Sequence, residues 1–433
     1  KGDNRMEYLS SDKIAIIDLT SSEIIEEDLP EELVEENIGG VGITTALYKR
    51  FEGEDPIVLG AGLLTGTLVP GAALSVMTAK SPVSGKISHI PVTLHAGMEL
   101  KYSGFDYIVI KGSSSKPVFL WIHDGIVDIE DAGDLWGKDT WAATDHIRDL
   151  MGDNLIQVLG IGKAGEKGSD LAQVCINYWA SGDRAGLGAL FGRKNLKLIA
   201  IRGMGLLEIA DPEEFVETCA EFLDDVREGE WAGKSGITKT SALLGGEDIS
   251  AWLDPLVHRH MACFNTPLAT NSFVFLDEDP GLLKESASEE PGFLVNDMGA
   301  LLAFKGLGLS ASDACSVMKA CAKQGLNGSA VAEICGKNGM TEAKKIIDAL
   351  PELQGPASPD GASLFSSWAA SLKWESKEWE RRQAVAYIFG IHPLFALVCP
   401  ELTEEKLLEL SSLATDLEFT SEGLDDVIAQ VTG

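Results

Sequence analysis

Along the first two hundred residues, apolar and polar positions alternate over short runs. KIAIIDLT (13–20), DPIVLGAG (55–62), LSVMTAK (74–80), YIVIKG (107–112), PVFLWIHDGIVDI (117–129), LIQVLGIG (155–162) and LKLIAIRG (196–203) are each punctuated by glycine, proline or aspartate. That pattern predicts a strand-rich region with sharp glycine-bearing turns. Helical spacing intervenes at Pro30 to Phe51, broken by the pair Gly39-Gly40, and at Thr140 to Met151.

After Gly203 the period changes. DPEEFVETCAEFLDDVREG offers Asp211 as an N-cap, Pro212 at the first helical position and acids in the first turn, all of which favour a helix start. SASDACSVMKACAKQGL (310–326), TEAKKIIDALPEL (341–353), residues 363–391, TEEKLLELSSLA (403–414) and SEGLDDVIAQV (421–431) continue the helical reading. The division falls near residues 203–210, giving a β-rich part at 1–205 and a mostly α-helical part at 206–433. Pro267 to Gly292 and Leu353 to Ser363 are the most loop-like internal stretches.

Charge narrows the partners. The formal net charge is −32, from 67 acidic against 35 basic residues, and such a field repels phosphate backbones and anionic lipid surfaces. Nucleic acid and membrane insertion are not expected, and no window has the length and apolarity of a membrane span. The seven cysteines are scattered, without a C-x-x-C pair, so neither a disulfide framework nor a locally held cluster is expected. The N-terminal stretch lacks a signal-peptide core. A reducing, cytoplasmic setting is the expectation.

GIGKAGEKGS (160–169) lacks the G-K-[ST] of a phosphate-binding loop, and no G-x-G-x-x-G sits in a βαβ setting, so neither nucleotide fold is indicated. Other stretches form a more specific set: IGGVGITTALYKR, LGAGLLTGTLVPGAALSVMTAKSPVSG, ELKYSGFDYIVIKG, DLWGKDTWAATDHIRD, GIGKAGEKGSDLAQV and RAGLGALFGRKNLKLIAIRG. In order and spacing they resemble the N-terminal domain of the tungsten-containing aldehyde ferredoxin oxidoreductases, over roughly Ile14 to Gly203. The helical half resembles that family more weakly and is shorter. The resemblance implies an α+β fold: an N-terminal two-sheet β-rich domain of that type, followed by a shortened, mostly α-helical region.

It also implies a tungsten bis-pterin lying on the base and a [4Fe-4S] cluster beside it, yet the matching positions depart from the family. Leu74 stands at an arginine position. Pro91, Val92, Thr93 and Leu94 replace an N-S-G-G approach loop, and Ala180 replaces the first arginine of a second motif whose other arginine survives as Arg184. The cluster cysteines fall on His260, Cys263, Pro267 and His392, where four thiolates are wanted. The second pterin motif reads Ala322, Gly325, Leu326 and Asn327. Proline lacks an N–H and β-branched side chains obstruct close backbone approach.

These correlated departures imply a family member without the tungstopterin and [4Fe-4S] sites, acting as a structural or docking subunit of a redox complex beside iron–sulfur or flavin proteins. No cofactor is then expected. A second reading keeps a tungsten or molybdenum bis-pterin, held by Arg184, Lys80, Gly162 and Gly165 or by Lys111, with electrons passed to a partner's clusters. A third places another small anion at Arg184 and the GKAGEKG backbone. His260, Cys263 and His392 are the candidate ligands of a remnant metal site, since zinc accepts two histidines and a cysteine. Trp368, Trp374 and Trp379 read either as core or as interface anchors.

Overall fold

The computed structural model describes residues 6–9, 11–276, 292–355, 357, 364–366, 368 and 376–433. Its first six strands are β1 (Lys13–Asp18), β2 (Glu23–Asp28), β3 (Ile57–Ala61), β4 (Ser75–Lys80), β5 (Ile87–Val92) and β6 (Tyr107–Lys111). They form one mixed sheet in the order β2-β1-β6-β3-β4-β5, in which β1 and β6 run parallel. A second sheet contains β7 (Val118–His123), β8 (Ile126–Asp131), β9 (Gln157–Gly160), β10 (Cys175–Ile176) and β11 (Leu196–Arg202), ordered β10-β9-β11-β7-β8.

The period of two decides what each face covers. Ala15, Ile17, Leu59, Met77 and Ile110 of the first sheet share a core with Leu120, Ile122, Ile199 and Ile201 of the second. Their neighbours in sequence, Ile14, Ile16, Val58, Val76 and Val109, point the other way, into a larger core shared with the helices. Both faces of the first sheet are therefore buried over β1, β6, β3, β4 and β5, while the edge strand β2 is largely exposed. The outer face of the second, with Phe119, Val158, Leu198 and Ala200, lies under Ala143 and Ile147 of the helix Thr140–Met151, whose N-cap Asp139 accepts the Ala142 N–H at 2.8 Å.

The helix expected over Pro30 to Phe51 is two helices, Glu31–Asn37 and Gly40–Arg50, separated where Ile38 takes a φ of 62°. β11 ends at Arg202 and the helix Pro212–Glu228 begins with Asp211 as its cap. The helix Ser376–Phe389 then packs back against Gly40–Arg50, so the helical part closes over the base rather than hanging from it.

Two expectations change. Within the stretch read as a loop lies β13 (Asn271–Phe275), paired with β12 (Val257–Met261) and β14 (Gly292–Val295) in a small antiparallel sheet. Its alternation is short but used: Phe273 and Leu294 enter the inter-sheet core, and Val274, Phe293 and Val295 the helical one. The helix read over 363–391 begins at Ser376, while Phe365 bridges in parallel to His89 at the β5 edge. Burial of Phe365 between His89 and Tyr387 outweighs its helical periodicity.

Candidate functional site

Four of the aligned family positions, Pro91, Thr93, Leu94 and His392, meet at the seam between β5 and the helical part. Pro91, Thr93 and Leu94 come together with Ser181, Asn271, Asn296, Trp368 and His392, and they line a partly open hollow of about 40 Å³. That is room for one or two water molecules. Leu74 is fully buried, and its N–H donates to the Gly390 carbonyl at 2.9 Å.

The chain itself covers the β5 edge. The His89 N–H donates to the Leu364 carbonyl at 2.7 Å and the Ser366 N–H to the His89 carbonyl at 3.0 Å. The His89 ring is buried, its Nδ1 2.9 Å from the Thr78 hydroxyl, which lies 2.7 Å from that of Thr44. Burial pushes the His89 pKa down to about 3, so the ring is neutral. Trp368 and Trp379 are 4% and 7% exposed, which makes both of them core; Trp374 lies outside the described residues.

Sequence reasoning passed over Asp183, a fully buried carboxylate next to Arg184, whose N–H donates to the Ser366 hydroxyl at 2.8 Å. Its carboxylate accepts the N–H of Ala185 at 2.6 Å and of Leu187 at 3.0 Å, and Asn327 donates to its carbonyl at 2.8 Å. Burial pushes its pKa up to about 6, with the N–H groups of residues 185–187 pulling the other way. The signal was present in the sequence: an aspartate one residue ahead of RAGLG can cap that loop from inside.

Gly162 caps the short helix that holds Gly165, and Ser81, next to Lys80, donates to the carbonyl of Ala185, next to Arg184, at 2.7 Å. Lys80 ends β4 on the surface. Gly162 lies so close to Gln324 that a Cβ would stand 2.3 Å from its carbonyl carbon, and a Cβ on Gly165 would stand 2.8 Å from the Gly188 oxygen. Both glycines serve backbone packing. Arg184 borders an open hollow of about 600 Å³ with Ser329, Glu333 and Lys337, which none of the other three lines. Arg184 also favours the ionised form of Asp297, whose pKa burial raises. Lys111 is engaged by Glu54 at 2.7 Å.

Nor does the structure gather His260, Cys263 and His392 into a ligand set. His260 sits on the exposed strand β12, with Nδ1 3.1 Å from the Ser272 hydroxyl. The Cys263 sulfur accepts the Leu94 N–H at 3.3 Å, and burial pushes its thiol up to about 11. His392 caps the helix Pro393–Val398 through Nδ1, and burial pushes it down to about 4. Among the described residues no three His, Cys, Asp or Glu side chains are placed to hold a metal ion. All seven cysteines are buried and free.

Residues 14–203 match the family described as aldehyde ferredoxin oxidoreductase, N-terminal domain. The chain is 35% identical over 229 residues to a tungsten-containing aldehyde ferredoxin oxidoreductase of Pyrococcus abyssi, an alignment covering 51% of this chain and 38% of that protein. It is 30% identical over 239 residues to an aliphatic sulfonate oxidoreductase, WOR-like subunit, of Pyrococcus furiosus, covering 50% and 38%. These alignments thus span well under half of the relatives' length. Among solved structures, the active site complex BamBC of benzoyl coenzyme A reductase with 1,5-dienoyl-CoA superposes with a TM-score of 0.67 at 20% identity, over 87% of this chain and 65% of that one. That likeness extends the shared fold beyond the base into the helical part.

Proposed function

We propose that this chain, an aldehyde ferredoxin oxidoreductase family member by the match of residues 14–203 to that family's N-terminal domain, is a non-catalytic structural or docking subunit of a redox assembly. The observation that carries the reading is Asp183. A phosphate-bearing cofactor needs free backbone N–H groups and cations where its anionic groups settle. Here the N–H groups of Ala185 and Leu187 are already taken by the chain's own carboxylate, a fixed negative charge where a polyanion would have to approach.

The space supports the same reading. A ligand even of drug size fills on the order of 300–1,000 Å³, against about 40 Å³ where Pro91, Thr93, Leu94 and His392 meet; the larger hollow beside Arg184 is lined by none of these four. Leu74 and Phe365 are both fully buried, so apolar packing occupies the face that polar approach would require. The residues present at the seam do not fit a bis-pterin. Subunit partners are consistent with the names of a relative called a WOR-like subunit and of a structural neighbour titled a complex. No helix among the described residues is long and apolar enough to cross a membrane.

The competing reading is an oxidoreductase with a rebuilt tungsten or molybdenum pterin site, favoured by the tungsten enzymes among its relatives. Elemental analysis of untagged protein from its native source, with co-purifying chains identified by mass spectrometry, separates the two. The proposal expects iron only in separable partners and neither tungsten nor molybdenum in this chain. Either metal near one per chain overturns it.

A further inference from the structure

We propose that the groove between the linker 203–210 and the loops at Gly66–Leu68 and Phe264–Asn265 is the docking site for an apolar segment of a partner protein flanked by lysine or arginine. The proposal rests on the docking reading above and names the surface that such docking uses.

The groove has a volume of about 540 Å³ and is lined chiefly by Leu68, Leu206, Leu207, Phe215, Val216 and Phe264. Leu206 is 91% exposed, Leu68 59% and Val216 48%, and the adjacent Met204 is 74% exposed. Single exposed apolar side chains are ordinary, whereas several around one hollow mark an interaction surface. The polar groups within it are spent internally. The Tyr102 hydroxyl donates to the Gly66 carbonyl, and the Asn265 amide donates to the Val69 carbonyl at 3.0 Å. What the groove offers an occupant is therefore mainly shape and apolar contact.

The exposure is built into the fold rather than left over from a loose linker. The Gly203 N–H donates to Glu99 at 2.8 Å, and the Gly205 N–H to the Tyr102 carbonyl at 2.8 Å. Glu208 accepts from Leu9 at 2.7 Å through its carbonyl, and the Asp211 N–H donates to the Leu413 carbonyl at 2.9 Å. A Cβ on Gly203 would stand 2.1 Å from the Tyr102 carbonyl carbon, so only glycine permits this close seating of the linker against the base. Leu206 is held outward on a fixed backbone, which lowers the ordering cost of binding.

Charge selects the occupant. Between Met204 and Glu217 the chain carries Glu208, Asp211, Glu213, Glu214 and Glu217 and no basic residue. A second copy would set this acidic rim against itself, whereas a basic-flanked apolar segment meets it with complementary charge.

The test uses the complex as purified from its native source. Carbodiimide cross-linking is expected to join partner lysines to Glu208, Glu213 or Glu217. Leu206→Asp is expected to weaken partner retention at least tenfold, with thermal stability unchanged because the side chain is exposed. Glu213→Lys with Glu217→Lys is expected to weaken it further at low salt than at high salt. A complex retained by Leu206→Asp, without cross-links at the rim, overturns this site while leaving the docking reading intact. Conversion by Leu206→Asp of a homodimer of this chain to a monomer also overturns it, since the occupant is then a second copy. Tungsten or molybdenum in the chain sinks the non-catalytic reading, whichever way the cross-links fall.

Discussion

Gly62 and Gly390 meet backbone to backbone where the base joins the helical part: a Cβ on Gly62 would stand 2.1 Å from the Gly390 Cα. Gly390 has a φ of +85°, and its own Cβ would fall 2.0 Å from the Thr65 hydroxyl. Gly390→Ala is therefore expected to cost at least about 2 kcal/mol, combining left-handed strain with a clash against the Thr65 hydroxyl, which is buried and held by its own hydrogen bond to the Leu74 carbonyl. Gly85→Ala, at a φ of +70° with open space around it, should cost only the strain, about 1 kcal/mol. Urea denaturation of both variants measures the difference, and equal losses would mean that the seam is looser than this contact implies.

Asp183 carries a prediction about anions as well as stability. Asp183→Ala leaves the N–H groups of Ala185 and Leu187 without their acceptor, and is expected to cost about 1–3 kcal/mol at neutral pH. The freed N–H groups should then take up inorganic phosphate. Millimolar phosphate is expected to raise the melting temperature of the variant above that of the wild type in the same buffer, with chloride at equal ionic strength as the control. A variant indifferent to phosphate would remove the idea that the carboxylate stands in for an external anion.

The same group has a pH signature. Its folded pKa of about 6 lies above the ordinary value of 3.8, so between those values the folded state holds the proton more tightly. Stability from this group is largest below 3.8 and declines as pH rises through 6. Asp183→Asn, which cannot ionise, should therefore gain on the wild type as pH increases across that window. Parallel stability curves for the two proteins between pH 4 and 7 would contradict the assigned burial.

Much of the base could be read from the sequence because two buried faces impose a strict alternation: Ile14 and Ile16 against Ala15 and Ile17 serve different cores. The cap at Asp211 and the break at Gly39 were legible for equally local reasons. Phe365 was not, since its place is set by His89, far away in sequence. Nor was the small sheet of β12, β13 and β14, whose short strands are fixed by what they bridge. Of the seam, the apolar replacements at Leu74 and Pro91 could be named from the sequence. Asp183 could not be given its weight, because its importance lies in total burial and in which N–H groups it reaches.

His392 couples the seam to acidity. Its pKa of about 4 is below the ordinary 6.5, so on acidification the unfolded chain takes up a proton before the folded one does. The stability it contributes is fully present above 6.5 and is lost as pH falls toward 4, by up to about 3 kcal/mol if the full shift is expressed. His392→Asn keeps an N-capping acceptor for the Phe395 N–H and removes the titration. Chemical denaturation should show the variant less sensitive to acid than the wild type over that range. Identical acid sensitivity would place the loss elsewhere, His89 being the next group to test.

Phe365 ties the sealing of the cleft to a measurable quantity. It is fully buried, with ring centroids 5.5 Å from His89, 4.9 Å from Tyr387 and 6.2 Å from Trp379. Truncation to alanine in such a setting costs about 3–5 kcal/mol. If the ring is what holds Leu364 and Ser366 against β5, Phe365→Ala should also release the backbone bonds at His89. Hydrogen exchange would then speed up at the amides of His89 and Ser366, while those of β3 and β6 in the same sheet stay protected. Uniform acceleration across the sheet would instead mean that the variant had weakened the whole base. Unchanged exchange at His89 would mean that the covering segment is held by something other than this ring.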